Sequence, residues 1–362
     1  MTIFAACSPG EIRVAAVEDG RLIDYALWRP GWSDGVGDVH RGRVAAVMPG
    51  LAGAFVALDG ADGFLPDSAG AAGRGVGDML AVRVVRAAQG GKGPRLAAVR
   101  DDPGTGPPRL LSPGPNAVER LAALHPGPVI VDEPAVALLL RPSLGDRVQT
   151  GAVLTEGLED EIERLAYTDV ALPGGMRASI HPTPALVAID VDTAAATGAR
   201  TPKQAAQEAL NRAALPELAR QIRLRNLSGA ILVDLAGLSI RRRSSLADAF
   251  RAALAPDPVA PRLMSFTALG LAEILRPRIH PPLHEVLAGP HAAGLAALRR
   301  IAADAGPGAA PVLRAAPGVA AALTGDPAAL PALAHRLGRP LVLRSDPGLP
   351  PCGWIVEDLS RG

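Results

Sequence analysis

Two aspartates each close an apolar run with the composition of a buried strand: Asp190 in PALVAIDVDT and Asp234 in AILVDLAGL. Near-continuous apolar runs of this kind are typical of parallel strands covered on both faces. Between them, Thr201-Pro202 offers an N-cap with proline at the first helical position. A helical stretch then runs to Asn226, and Gly229 opens the second strand. Pro216 interrupts the connector, which predicts two helices or one kinked helix. The pattern is a βαβ unit, whose right-handed crossover makes the strands parallel and puts ligand-binding groups at their carboxyl ends. Two carboxylates meeting there repel each other unless a cation lies between them, and an oxygen-only site that leaves several positions to water suits Mg²⁺. Such an ion acidifies water and offsets charge on a phosphoryl oxygen. Asp192 is two residues beyond Asp190 and therefore shares its face, where it could ligate or hydrogen-bond. An aspartate ending an apolar strand is also a common turn residue or helix cap, and the pattern leaves both readings open.

Around these carboxylates the basic and aromatic residues admit two readings as well. The helix before the second strand ends ARQIRLRN, so Arg220, Arg223 and Arg225 are expected beside the site as phosphate contacts; arginines in a last turn also complement the helix dipole. Arg241, Arg242 and Arg243 extend the same basic region, or form a solvated loop. Phe55 and Phe64 are two of only five phenylalanines, so each ring is a candidate platform for a nucleic-acid base, with burial in a barrel core as the alternative. Lys92 in GGKG and Arg41 and Arg43 in HRGR suit a phosphate backbone, or are ordinary turn and edge-strand charges.

The elements that would position these groups follow from local pattern. Residues 11–29 alternate apolar and polar on both sides of Asp19-Gly20, a hairpin signal. Five short strand candidates between Val39 and Val99, divided by Pro49-Gly50, Asp59-Gly60, a Gly/Ala run and GGKG, suit a small closed barrel of the OB type. The run DDPGTGPPRLLSPGPN at 101–116 reads as a linker without regular structure. Beyond it, helical and strand-like segments alternate as in an α/β layer, and the last ~70 residues alternate Ala-rich helices with PVLRAA and PLVLRS.

Bulk composition limits the function classes. With 37 basic and 36 acidic residues there is no global field for a polyanion, so any nucleic-acid surface must be local. Nothing reads as a leader or as a membrane span of ~18 uninterrupted apolar residues, which makes a soluble cytoplasmic protein without a membrane partner the expectation. Cys7 and Cys352 stand apart, giving neither a disulfide framework nor a cysteine zinc site.

Taken in order, HRGRVAAVMPGLAGAFVALDGADGFLP, PALVAIDVDT, ARQIRLRNLSGAILVDL and FTALGLAEILRPR resemble the ribonuclease E/G family. The resemblance implies a multidomain α/β (α+β) fold: an N-terminal hairpin on the α/β body (1–35), an S1-like RNA-binding barrel of OB type (36–100), a shortened RNase H-like segment (101–182), a catalytic metal-binding domain (183–290) and a small C-terminal α/β domain (291–362). It implies endonucleolytic hydrolysis of single-stranded, AU-rich RNA. Asp190 and Asp234 match the family's magnesium aspartates, and Asp192 falls where an asparagine normally supports the first of them. Phe55 and Phe64 match barrel aromatics that contact RNA, and Lys92 matches a lysine in the family's G-x-K-G turn. Mg²⁺ is the expected ion and Mn²⁺ an alternative. The family's paired-cysteine motif is replaced by AGPHAAG, so no zinc is expected and a homodimer, if formed, is not zinc-linked. A second acidic position of the family is Gly237 here, which motivates the alternative of a weakened or inactive RNA-binding protein with the same fold.

Overall fold

The computed structural model describes residues 1–100, 103–193, 204–304 and 311–358. The chain opens with a meander of β1 (Thr2–Ser8), β2 (Glu11–Glu18) and β3 (Arg21–Trp28). Asp19 and Gly20 join β2 to β3 with φ of 50° and 74°, the paired positive values of a type I′ turn. The barrel follows: β4 (Val39–Met48), β5 (Gly53–Ala57), β6 (Asp62–Pro66), β7 (Met79–Arg86) and β8 (Arg95–Ala98). The order β5-β6-β8-β7-β4 closes through a β4–β5 pairing, and β6 and β8 run parallel while the other pairs are antiparallel. This is the five-stranded OB arrangement. Alternation along each strand sends Val44, Ala54, Val56, Leu65, Val82 and Leu96 inward. The expectation of a structureless linker at 101–116 needs correction, because Arg109–Ser112 forms β9 on the edge of β4. Its flanking prolines and glycines hid a four-residue strand that is too short to show a period.

The chain then adds α1 (Ala117–Leu124), β10 (Val129–Val131), α2 (Pro134–Leu144), β11 (Val148–Thr150) and α3 (Glu156–Arg164). Asn116 and Glu119 start α1 as a reciprocal capping box. β10 pairs parallel with β1, and β11 parallel with β10, giving the order β11-β10-β1-β2-β3. Ile3, Val14, Val118, Val129 and Leu140 share its core. These elements complete a sheet begun by the N-terminal strands, and the strands of the barrel fall between β3 and α1 in sequence.

The second large sheet is built from β12 (Asp169–Leu172), β13 (Met176–Pro182), β14 (Val187–Thr193), β15 (Gly229–Asp234), β16 (Arg262–Phe266) and β17 (Ala272–Arg276), in the order β12-β13-β14-β15-β17-β16. Only β14 and β15 pair in parallel. Their crossover is α4 (Gln204–Leu224), one helix that continues through Pro216; the predicted cap at Thr201-Pro202 lies outside the described residues. Leu215, Leu218 and Ile222 of α4 pack on Ile189, Val191, Ile231 and Val233, all nearly or fully buried. Each such side chain contributes about 1.5–3 kcal/mol by leaving water. The short helices α5 (Ile240–Ser244) and α6 (Ala247–Leu254) follow β15, and Phe250 and Leu254 of α6 join the same core.

The remainder comprises α7 (Leu283–Val286), α8 (Gly289–Asp304), β18 (Pro311–Ala315), α9 (Pro317–Gly325), α10 (Ala329–Leu337), β19 (Val342–Ser345) and β20 (Trp354–Asp358). Its small sheet, β19-β18-β20, shares a core of Leu295, Leu298, Leu313, Val319 and Leu323 with the helices. The chain divides into two units, one of residues 1–33, 116–166 and 283–362 and the other of 34–115 and 167–282. The barrel and the sheet carrying Asp190 and Asp234 thus belong to the same unit, a grouping different from the sequential boundaries expected. Among the described residues no helix is long and apolar enough to cross a membrane.

Candidate metal and RNA site

Asp190 on β14 and Asp234 on β15 are direct register partners across the parallel pair. Neighbouring strands are about 4.8 Å apart, and residues opposite each other in a parallel pair point to the same side. Ile189, Val191, Ile231 and Val233 face α4, so the two aspartates occupy the other, open face. Asp190 and Asp192 are exposed there. The Asp190 carboxylate has no hydrogen-bond or ion-pair partner among the described residues, whereas that of Asp192 accepts from the Thr193 amide at 2.7 Å, and Asp192 lies opposite Arg177 of β13. Asp234 is half-exposed and ion-paired through Oδ1 with Arg243 of α5, whose Nε also donates to the Leu238 carbonyl at 3.0 Å. Arg243 lowers the repulsion between the two carboxylates and leaves Oδ2 of Asp234 outside that contact.

The chemistry of this donor set fits a hard divalent ion. Mg²⁺ is commonly held by one or two carboxylates with water in its other positions, and two in-register aspartates on an open face supply that number. Among the described residues there is no group of three or more His, Cys, Asp or Glu side chains suited to a metal.

The arginines of the RQIRLRN run lie elsewhere. α4 is antiparallel to β15, so its last turn leads into Gly229, at the opposite end of the strand from Asp234 and about 17 Å away at 3.3 Å per residue. Arg220 donates twice to Glu217, at 2.9 and 2.7 Å, and Arg223 donates to the Pro256 carbonyl at 3.3 Å. Arg225 is buried, donating to Gln221 Oε1 and to the Tyr167 carbonyl at 3.1 Å; burial, with Arg220 nearby, pulls its guanidinium down to about 10. Asn226, at φ 47°, ends the helix and donates to the His280 and Pro281 carbonyls. Expecting Arg220, Arg223 and Arg225 beside the carboxylates thus placed them at the wrong end of the strand. They brace the helix-to-strand junction. Arg243, from the run first read as an extension of that basic region, is the arginine that reaches Asp234.

On the barrel, Phe55 and Phe64 are register partners on β5 and β6 and point outward, their rings 5.6 Å apart at 66°. Ala54, Val56 and Leu65 take the interior positions, so the two rings are not barrel core. A Cβ at Gly53 would fall 2.6 Å from Phe64 Cζ, and glycine there lets the ring lie across the strand. Lys92 is exposed in a tight turn whose Gly90 and Gly91 have φ of 58° and 71° and whose ends, Gln89 and Lys92, exchange backbone hydrogen bonds. Arg43 is exposed as well. Arg41 needs correction as an RNA contact: it is buried, with Nε donating to the Pro103 carbonyl at 2.5 Å and Nη1 to that of Pro107 at 3.3 Å. Its guanidinium pins the loop before β9.

Comparison with known proteins assigns the segment that contains the carboxylates. Residues 146–279 match the Ribonuclease E/G family. Over this segment, the chain is similar to the ribonuclease E/G family. Among curated relatives, "Ribonuclease E" of Escherichia coli K12 is 31% identical over 173 residues, covering 44% of this chain and 16% of that protein. "Ribonuclease E" of Nostoc sp. PCC 7120 is 36% identical over 118 residues, covering 32% and 17%, and "Ribonuclease G" of E. coli K12 is 33% identical over 131 residues, covering 36% and 27%. The matched stretch spans about a quarter or less of each ribonuclease. The family segment includes Asp190, Asp192, Asp234 and Arg243, but not the barrel.

Proposed function

We propose that this protein is a divalent-cation-dependent endoribonuclease that hydrolyses single-stranded RNA in RNA processing or decay. The observation that carries this reading is the in-register pair of Asp190 and Asp234 on the open face of the family-matched sheet. These two side chains would hold the ion, with Asp192 orienting or supplementing them. When bound, Mg²⁺, or Mn²⁺ in its place, supplies an acidified water and offsets phosphoryl charge. Arg243 fixes one oxygen of Asp234 and so sets the direction of the other. Phe55 and Phe64 present a pair of rings to the bases, and Lys92 and Arg43 offer cations to the phosphates. The names of the relatives support RNA as substrate. Arg43, Lys92 and the two rings replace the wider basic surface expected from sequence. The cytoplasm is the proposed site of action, and any self-association would not depend on zinc.

A second reading, an RNA-binding protein without turnover, is favoured by two observations: the ion pair that occupies Asp234 and the glycine at 237. A fluorescent AU-rich single-stranded oligonucleotide distinguishes the two. Cleavage in Mg²⁺, absent in EDTA and in Asp190→Asn, is expected. Binding without cleavage by the wild-type protein would refute the enzyme and leave the second reading.

A further inference from the structure

We propose that a phosphate-binding site, separate from the carboxylate pair, lies in the cleft at the amino end of β15, where the barrel meets β16 and β17. The cleft has a volume of about 430 Å³ and is lined by Arg86, Arg95, Arg262, Arg276 and Arg278 together with Gly229 and a few apolar side chains. No acidic side chain lines it among the described residues. Arg276 is already neutralised, its Nε donating to buried Asp257 at 2.7 Å. Arg86, Arg95, Arg262 and Arg278 have no carboxylate partner among the described residues. The Arg86 Nε is buried without an acceptor. Burial lowers the pKa of Arg86, and Arg95 and Arg278 lower it further, so like charges are held together in the folded protein.

Gly229 has a part in this arrangement. It sits at φ 84°, and a Cβ there would collide with the Arg278 guanidinium. Glycine lets that side chain lie over the start of the strand. Guanidinium forks with unused donors, crowded together and lacking a carboxylate, are complementary to a multiply charged oxyanion, and phosphate accepts such forks bidentately. Gly229 is five residues from Asp234 along β15, about 17 Å, so the same anion cannot serve both places. Taking that phosphate to be part of an RNA strand rests on the function proposed above; a free polyphosphate has the same chemistry.

Both sources are tested in EDTA, without turnover. A fluorescent 5′-hydroxyl oligouridylate is titrated by anisotropy, and pyrophosphate by calorimetry, into wild type, Arg95→Ala, Arg278→Ala and the double variant Arg95→Glu/Arg278→Glu. Arg95 and Arg278 are exposed, and circular dichroism checks each fold. Exposed Arg251→Glu controls for net charge. Each alanine variant is expected to weaken RNA binding several-fold and the double variant tenfold or more. The salt slope should fall by about 0.7 for each phosphate that the variant no longer neutralises, with Arg251→Glu unchanged. Loss of pyrophosphate binding in the double variant shows that the cleft also takes free polyphosphate, whereas no pyrophosphate binding to wild type assigns it to strand phosphates. Cleft-dependent pyrophosphate binding by a protein that does not bind RNA would sink the RNA reading and keep the site. RNA and pyrophosphate affinities within twofold of wild type in the double variant, or no binding of either by wild type, would overturn the proposal.

Discussion

Truncation of Phe64 separates recognition from stability. Phe64 points out of the barrel, meets Phe55 edge-on at 5.6 Å and crosses Gly53, while its chain neighbour Leu65 is fully buried inside. A ring that stacks on a base is worth about 1–3 kcal/mol by alanine substitution. At about 1.4 kcal/mol per decade this is roughly a 5- to 150-fold loss of RNA affinity in Phe64→Ala. The stability cost is smaller: about 0.5–1.5 kcal/mol for the ring pair, plus the part of the ring's area that is buried. Leu65→Ala, which leaves a cavity, should cost about 2–5 kcal/mol. Anisotropy with a single-stranded oligonucleotide in EDTA reads the first effect, and urea unfolding reads the second. RNA affinity in Phe64→Ala equal to wild type, or a stability loss as large as that of Leu65→Ala, would show that the ring is a packing element and refute the stacking role.

Further perturbations probe the supporting structure. Arg276→Ala leaves Asp257 buried without its partner and should cost about 3–5 kcal/mol in urea unfolding; a loss under about 1 kcal/mol would contradict the buried pair. Gly237→Asp, which restores an acidic residue at a position with φ 59° and the Gln207 side chain 3.3 Å from any Cβ, should cost roughly 1 kcal/mol, and unchanged stability would argue against backbone strain there. Burial would raise the Asp326 carboxyl, but His291 at 2.8 Å and the Ala328 and Ala329 amides outweigh it and hold the group below its ordinary 3.8. Its stabilisation is therefore present above that value and is lost as pH falls through the lower folded-state value. The Tm deficit of Asp326→Asn should shrink between pH 7 and pH 3, and an equal deficit at both would count against this.

Much of the sheet that carries Asp190 and Asp234 was legible because βαβ chemistry is local. Two apolar strands, a helix of one period and a right-handed crossover were enough to predict which strands carry Asp190 and Asp234, and the parallel pairing puts the two in register. The barrel was legible from strand number and turn residues. β9 and the edge strands β12 and β16 were not, since four or five residues between breakers carry no distinctive period. The arginines failed for a different reason. Closeness in sequence to β15 suggested closeness to Asp234, but a helix antiparallel to its strand places the end of ARQIRLRN at the far end of the sheet. The burial of Arg41 and Arg225 depends on partners up to 66 and 58 residues away in sequence, which composition does not reveal. The contact of Arg243 with Asp234 had one available signal, the arginine run directly after the strand.

The most direct measurement is a titration of the EDTA-treated protein with Mn²⁺, read by electron paramagnetic resonance. One ion per chain is expected in wild type and in the exposed control Asp248→Asn on α6, with at least tenfold weaker binding in Asp190→Asn and in Asp234→Asn. Equal Mn²⁺ affinity in all four proteins, or none in wild type, would mean that the two aspartates do not share an ion.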